Sequence, residues 1–170
     1  MNRRTLCLLL LATPCSTIAA PTATDALAGM SKRGSGEFRR YGFAIYDATL
    51  WSLGNDPTQP PLAIKLTYKR NIHSQAIVAA SIDEIRKLGF QSDAQLKAWE
   101  MQMAKLFPDV RSGDSIIGIY ATNSAQFYFN EKFLGVIDDA VFARTFFDIW
   151  LSKNTSAPQL RQALIQNVVL

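Results

Sequence analysis

Apolar and polar residues come close to strict alternation through Leu62-Ala63-Ile64-Lys65-Leu66-Thr67-Tyr68-Lys69. That is the period of a strand, and it predicts that Leu62, Ile64, Leu66 and Tyr68 look into a core. The preceding stretch, Glu37 to Trp51, carries aromatic and β-branched residues at both parities, the pattern of a single strand buried on both faces. Turn formers from Gly54-Asn55-Asp56-Pro57 to Pro60-Pro61 separate the two. After Arg70 the period lengthens: Val78, Ile82 and Ile85 lie at helical spacing, with Gly89 as a stop. Ser92-Asp93-Ala94-Gln95 has the form of a capping box that opens a second helix, with Leu96, Trp99, Met103 and Leu106 on one stripe and Pro108 at its end. Strands follow at Ser115 to Thr122, Ala125 to Asn130 and Phe133 to Ile137, short enough and closely enough spaced to form a meander. Asp138 or Asp139 can cap a helix whose inward face is Phe142, Phe146 and Ile149, and Ser156-Ala157-Pro158-Gln159 opens a last one carrying Leu160 and Leu164. The order of two strands, two helices, about three strands and two helices predicts an α+β fold, an antiparallel sheet with helices grouped against it.

The first twenty residues break this pattern. Arg3 and Arg4, an apolar run from Leu6 to Ala12 and small residues ending in Ala19-Ala20 read as a secretory signal peptide. Proline is poorly tolerated after a scissile bond, so cleavage between Ala19 and Ala20 is favoured over cleavage before Pro21. Pro14 before Cys15 does not fit a lipoprotein signal. The expectation is a periplasmic or secreted protein with one domain over residues 21–170 and no stable membrane insertion once the signal is removed.

Composition narrows the chemistry. At 48% hydrophobic and 19% charged, the chain fits one folded domain. The 18 Lys and Arg against 14 Asp and Glu shrink to near balance without Arg3 and Arg4, which argues against a nucleic-acid partner. Cys7 and Cys15 both fall in the signal, leaving His73 as the lone imidazole. Disulfides, thiol nucleophiles, histidine relays and most metal sites are thereby excluded, so the expectation is no metal and no cofactor.

Several motifs recur in fixed order: Gly36 to Trp51, Phe107-Pro108-Asp109-Val110 before Gly113-Asp114, Phe127-Tyr128-Phe129-Asn130 with Gly135, Phe146-Phe147-Asp148-Ile149-Trp150-Leu151, and Pro158-Gln159-Leu160-Arg161. Together they resemble the chalcone isomerase superfamily, and in the C-terminal half its bacterial secreted branch. The resemblance implies an open-faced β-sandwich: a large antiparallel sheet packed by helices on one side, with a ligand cleft between. Fold alone does not settle function, because members of the superfamily include enzymes that close a chalcone into a flavanone and proteins that bind fatty acids.

The resemblance also implies a site. The plant enzymes use an arginine near the first core strand to hold a phenolate and stabilise the developing enolate, a role for which Arg39 and Arg40 are the candidates. Counted from Tyr46, a regular strand puts Arg40 on the same face and Arg39 on the opposite one, and a bulge between them would reverse this. Tyr46 aligns with a site threonine, Thr145 with a second polar site residue, and Phe146 with the apolar residue after it. The segment Ser81 to Leu88 offers no match for the family's tyrosine and asparagine. Tyr68 and Trp99 are aromatics that could line a cleft, although such residues are more often plain core. Thr145 has the bland alternative of bonding to its own helix backbone. His73 reads as a capping or surface residue, Asp109 as a turn carboxylate, and Asp47 as a partner for a nearby arginine.

Three readings follow. The leading one is a protein that binds a small amphipathic anion, a fatty or aromatic acid, in a cleft closed by apolar side chains and one arginine. The alternative is a cofactor-free isomerase or lyase that stabilises an enolate with the same cation. The third is a structural or partner-binding protein whose cleft has collapsed around Tyr46.

Overall fold

The computed structural model describes residues 22–166, so the expected signal peptide at residues 1–20 lies outside the described residues. Six strands form one sheet in simple sequence order: β1 Ser31–Arg40, β2 Phe43–Ser52, β3 Leu62–Tyr68, β4 Ser115–Tyr120, β5 Ala125–Phe129 and β6 Lys132–Ile137. Every neighbouring pair is antiparallel. The helices are α1 Ala23–Ala26, α2 Ser74–Lys87, α3 Asp93–Leu106, α4 Ala140–Leu151 and α5 Pro158–Ile165. The fold is α+β, an open antiparallel sheet with helices packed against it.

The single strand expected over Glu37 to Trp51 is a hairpin. Arg40 pairs with Phe43, and the two residues between them, Tyr41 and Gly42, have φ of 51° and 82°. Two successive left-handed residues make the mirror-image turn that matches strand twist, a turn that favours Asn-Gly rather than Tyr-Gly. A tyrosine there masks the turn in the sequence. One step on, Phe38 faces Tyr46 and Arg39 faces Ala44, so Ile45 is an extra residue on β2. The irregularity falls on β2, not between Arg39 and Arg40. Phe38, Arg40 and Tyr46 therefore share one face of the sheet, and Arg39 stays on the other.

That shared face is the one the larger helices cover. Leu62, Ile64, Leu66 and Tyr68 are all buried in the main core with Val78, Ile82 and Ile85 of α2 and Leu96, Trp99 and Met103 of α3. α4 adds Phe142, Phe146, Phe147 and Trp150, and ring contacts run from Phe107 to Phe127 at 5.0 Å and from Phe127 to Phe146 at 5.3 Å. Asp139 caps α4 by accepting from the Val141 and Phe142 amides at 2.8 and 2.9 Å. Ser92 caps α3 by accepting from the Gln95 amide.

Two departures have physical causes. Ala63, Ile117, Ile119 and Tyr128 make the reverse face of the sheet apolar too, and the short α1 covers it with Ala23, flanked by Leu27 and Met30. The helices are thus not confined to one side. At α5 the cap position is Ala157, not Ser156, whose hydroxyl instead donates to the Glu84 carboxylate of α2. α5 lies directly on β1, where a Cβ at Gly34 would run into the carbonyl oxygens of Ala163 and Leu164, and one at Gly36 would come within 2.9 Å of the Ala163 methyl. The two glycines are what lets the last helix approach the first strand.

Candidate functional site

A cavity of about 250 Å³ lies between the sheet and the helices, near the end where β1 and β2 turn. Its floor comes from Phe38, Ile45, Tyr46, Leu66, Tyr68 and Ile116, and its opposite wall from Ile77 and Ala80 of α2 and from Phe146, Ile149 and Trp150 of α4. This volume sits at the lower edge of the roughly 300–1,000 Å³ common for ligand pockets, and the mostly apolar lining is characteristic of them. Leu66, Ile116, Phe146 and Trp150 line both this cavity and a separate void of about 20 Å³ that reaches Ile64, Gly118, Phe127 and Phe147.

Polar groups are few and concentrated. Arg40, Ser81, Glu84 and Ser156 line the cavity, and Arg40 is exposed, which places it at the rim. The described residues contain no ion-pair partner for it within 4.0 Å. Glu84 is engaged: Ser156 Oγ donates to its Oε2, and Lys87 Nζ donates to its Oε1 at 2.7 Å. Burial pushes the Glu84 carboxyl up, but those two hydrogen bonds and the charges of Lys87 and Arg40 outweigh it, so it lies below the ordinary range and is ionised at neutral pH. The rim thus sets a guanidinium with no carboxylate bound to it, among the described residues, beside one committed carboxylate.

Deeper in, two phenols face each other. Tyr46 stacks on Phe38 at 5.0 Å and meets Tyr68 edge-on at 6.0 Å, and its oxygen accepts from Trp150 Nε1 at 3.1 Å. Burial raises both phenols above the usual tyrosine value; for Tyr46 the Trp150 bond works the other way and loses, and for Tyr68 the neighbouring Tyr46 adds to the rise. Both are therefore neutral donors throughout the physiological range.

Of the residues singled out in the sequence, Arg40, Tyr46, Tyr68 and Phe146 come together on this cavity. Arg39 does not. It extends from the other face, where Nη1 lies 2.5 Å from Glu37 and Nη2 donates to the Gly42 carbonyl at 2.9 Å. Thr145, one residue before Phe146, is about 100° further round the helix and donates to the Val141 carbonyl at 2.7 Å. Trp99 packs in the core against Phe90 and Phe142, and its indole donates to Asp139 at 2.9 Å, tying α3 to the start of α4. Asp109 accepts from the Ser74 amide at 2.7 Å and His73 is exposed, both at the start of α2. Asp47 pairs with Lys69 at 2.9 Å rather than with an arginine.

The sequence reading missed Ser81, Glu84 and Ser156. A signal for the first two existed: Ile77, Ala80, Ser81 and Glu84 recur at offsets of three, four and seven, a second stripe on α2 beside the core stripe of Val78, Ile82 and Ile85.

A helix-covered antiparallel sheet enclosing an apolar cavity with a charged rim defines a class, the chalcone isomerase-like fold. The family model described as chalcone isomerase-like matches residues 18–166, and the chain belongs to that family. Among solved structures, the chain is similar to a fatty-acid binding protein of Arabidopsis thaliana, with a TM-score of 0.65 and 10% identity, over 83% of this chain and 89% of that one. At that identity the likeness is one of fold. No curated protein matches the chain in sequence.

Proposed function

We propose that the protein binds a small amphipathic anion, a fatty or aromatic acid, with its tail in the cavity and its charged end at Arg40. The observation that carries this is the Arg40 guanidinium, without a carboxylate partner among the described residues, at the rim of a cavity whose inner walls are apolar. Burial of the tail would supply most of the affinity, at roughly 25 cal/mol per Å² of apolar surface. The guanidinium would add orientation through a paired contact with the carboxylate. The fold shared with a protein described as binding fatty acids supports the same reading. We further place the protein in the bacterial secreted branch of its family, acting in the periplasm or outside the cell after loss of residues 1–20. The test is native mass spectrometry of protein recovered from its host, followed by a thermal-shift series with saturated fatty acids. A co-purified acyl or aromatic acid, or a concentration-dependent rise in Tm, is expected. Absence of both would overturn the reading.

One observation favours the enzymatic alternative, intramolecular addition through a stabilised enolate. The neutral phenols of Tyr46 and Tyr68 line the same cavity as Arg40, so a cation and proton donors border one space. Turnover of a hydroxychalcone above the spontaneous rate, lost in Arg40→Ala, would support it; equal rates with wild type and variant would end it.

A further inference from the structure

Tyr41 is the most exposed large apolar residue among those described, at 85%, and Phe43, two residues on, is 58% exposed. Both belong to the β1–β2 turn, and Tyr41 holds a left-handed backbone that a bulky side chain disfavours. Packing among the described residues offers no reason for an aromatic there: its one ring contact with them is the Arg40 guanidinium, 5.4 Å from the ring centre. Phe43 is matched in the same way, with the Arg70 guanidinium 4.6 Å from its ring. Two exposed aromatics, each topped by an arginine, thus project from one end of the sheet.

The charges around this tip are uneven. Glu37 is paired with Arg39 and Lys69, and Asp47 with Lys69. Arg40 and Arg70 have no acidic partner among the described residues, so the tip carries a surplus of positive charge. Aromatic rings flanked by arginines suit the boundary between lipid headgroups and acyl chains, where rings bury shallowly and cations meet anionic phosphates. The cavity opens beside this tip, for Arg40 belongs to both and Ile45 lies two residues from Phe43.

We infer that the β1–β2 hairpin tip docks on an anionic lipid surface through Tyr41, Phe43 and Arg70, setting the cavity mouth against the bilayer from which an amphipathic ligand would enter. The docking surface stands on its own exposure and charge; only the ligand's entry rests on the proposed function. Among the described residues no helix is long and apolar enough to cross a membrane, so the contact would be peripheral.

The experiment is co-sedimentation of the full protein with vesicles of phosphatidylcholine alone or of phosphatidylcholine and phosphatidylglycerol in equal parts, at low and physiological salt. All proteins compared carry the same N-terminus, so any contribution of residues 1–20 cancels. Wild type is expected to bind the mixed vesicles, more weakly as salt rises. Arg70→Gln should weaken binding roughly fivefold, the effect of one surface cation, and Tyr41→Ser with Phe43→Ser should weaken it more than tenfold, with circular dichroism unchanged. Equal binding by wild type and the double variant would refute the inference. So would equal binding to both vesicle types, or a dimer that the double variant abolishes without vesicle binding by either. Ala80→Phe, which fills the cavity, separates the two proposals: it should lose the fatty-acid thermal shift and keep vesicle binding. Loss of vesicle binding in Ala80→Phe would show lipid uptake instead of docking and overturn the inference, whereas a wild type that binds vesicles but no fatty acid would sink the cavity reading alone.

Discussion

Arg40 and Glu84 make opposite contributions to an anion bound at the rim, and that gives a test with a sign. Replacing Arg40 with Gln removes a charge-assisted contact, which is worth about 1.5–3 kcal/mol. Arg40 is exposed, so the low end applies and dodecanoate should bind about tenfold more weakly. Replacing Glu84 with Gln removes a like charge held ionised by Lys87 and Ser156. Its side chain keeps only 19% exposure, but Lys87 Nζ bonded to it cancels part of its charge and the anion it would repel sits at the exposed rim, so the net repulsion is on the order of 1 kcal/mol, the water-like end of the Coulomb range. Glu84→Gln should therefore tighten dodecanoate binding about fivefold, with the amide still able to accept from Ser156. The double variant should return to within about twofold of wild type. Arg39→Gln is the control and should change nothing, since that guanidinium is engaged by Glu37 and the Gly42 carbonyl on the opposite face. The assay is displacement of a fluorescent fatty acid at low and at physiological salt. If Glu84→Gln weakens binding as Arg40→Gln does, or if neither has an effect, the headgroup is not an anion seated at Arg40 and the reasoning fails.

Other outcomes follow from single contacts. Gly34→Ala forces a methyl into the α5 carbonyl oxygens and should cost about 3 kcal/mol, roughly 10 °C in Tm by calorimetry. Tyr41→Asn restores the residue the turn favours and should raise Tm by a few degrees, since a left-handed L-residue costs roughly 1–2 kcal/mol, while lowering affinity for anionic vesicles. Burial pushes Asp139 up, but bonds from the Phe142 amide, the Trp99 indole and the Val141 amide hold it below the ordinary carboxylate value. Its stabilising contribution is therefore complete above about pH 4 and fades as pH falls through the lower folded value. Acid unfolding followed by tryptophan fluorescence should shift to lower pH than in Asp139→Asn, and identical acid midpoints would contradict the assignment. Thr145→Val should leave fatty-acid affinity within twofold, because the hydroxyl serves its own helix; a large loss would mean that it reaches the ligand.

Much of the architecture was legible because burial is periodic. Leu62 to Tyr68 alternate, and Phe142, Phe146 and Ile149 recur at helical spacing, so β3 and α4 follow from which side chains must leave water. The hairpin between β1 and β2 was hidden because its turn runs against residue preference: a tyrosine occupies a position where asparagine would have announced it. α1 escaped notice because four residues carry little periodicity, although Thr22 and Asp25 bond reciprocally across its start. On the site, parity places Arg40 with Tyr46, and it holds because the irregularity fell at Ile45 of β2. Spacing could not place Thr145, since neighbours on a helix point some 100° apart. Nor could it place Ser156, which reaches the cavity through a carboxylate 72 residues earlier in the chain.

The clasp of α5 on β1 has a consequence for how the molecule is made. Strands β1 to β6 can zip in chain order, each beside its predecessor. The covering for Gly34 and Gly36, however, comes from α5, which follows all six strands in the chain. Until α5 docks, a sheet that has already zipped is left with the glycine flank of β1 bare to water.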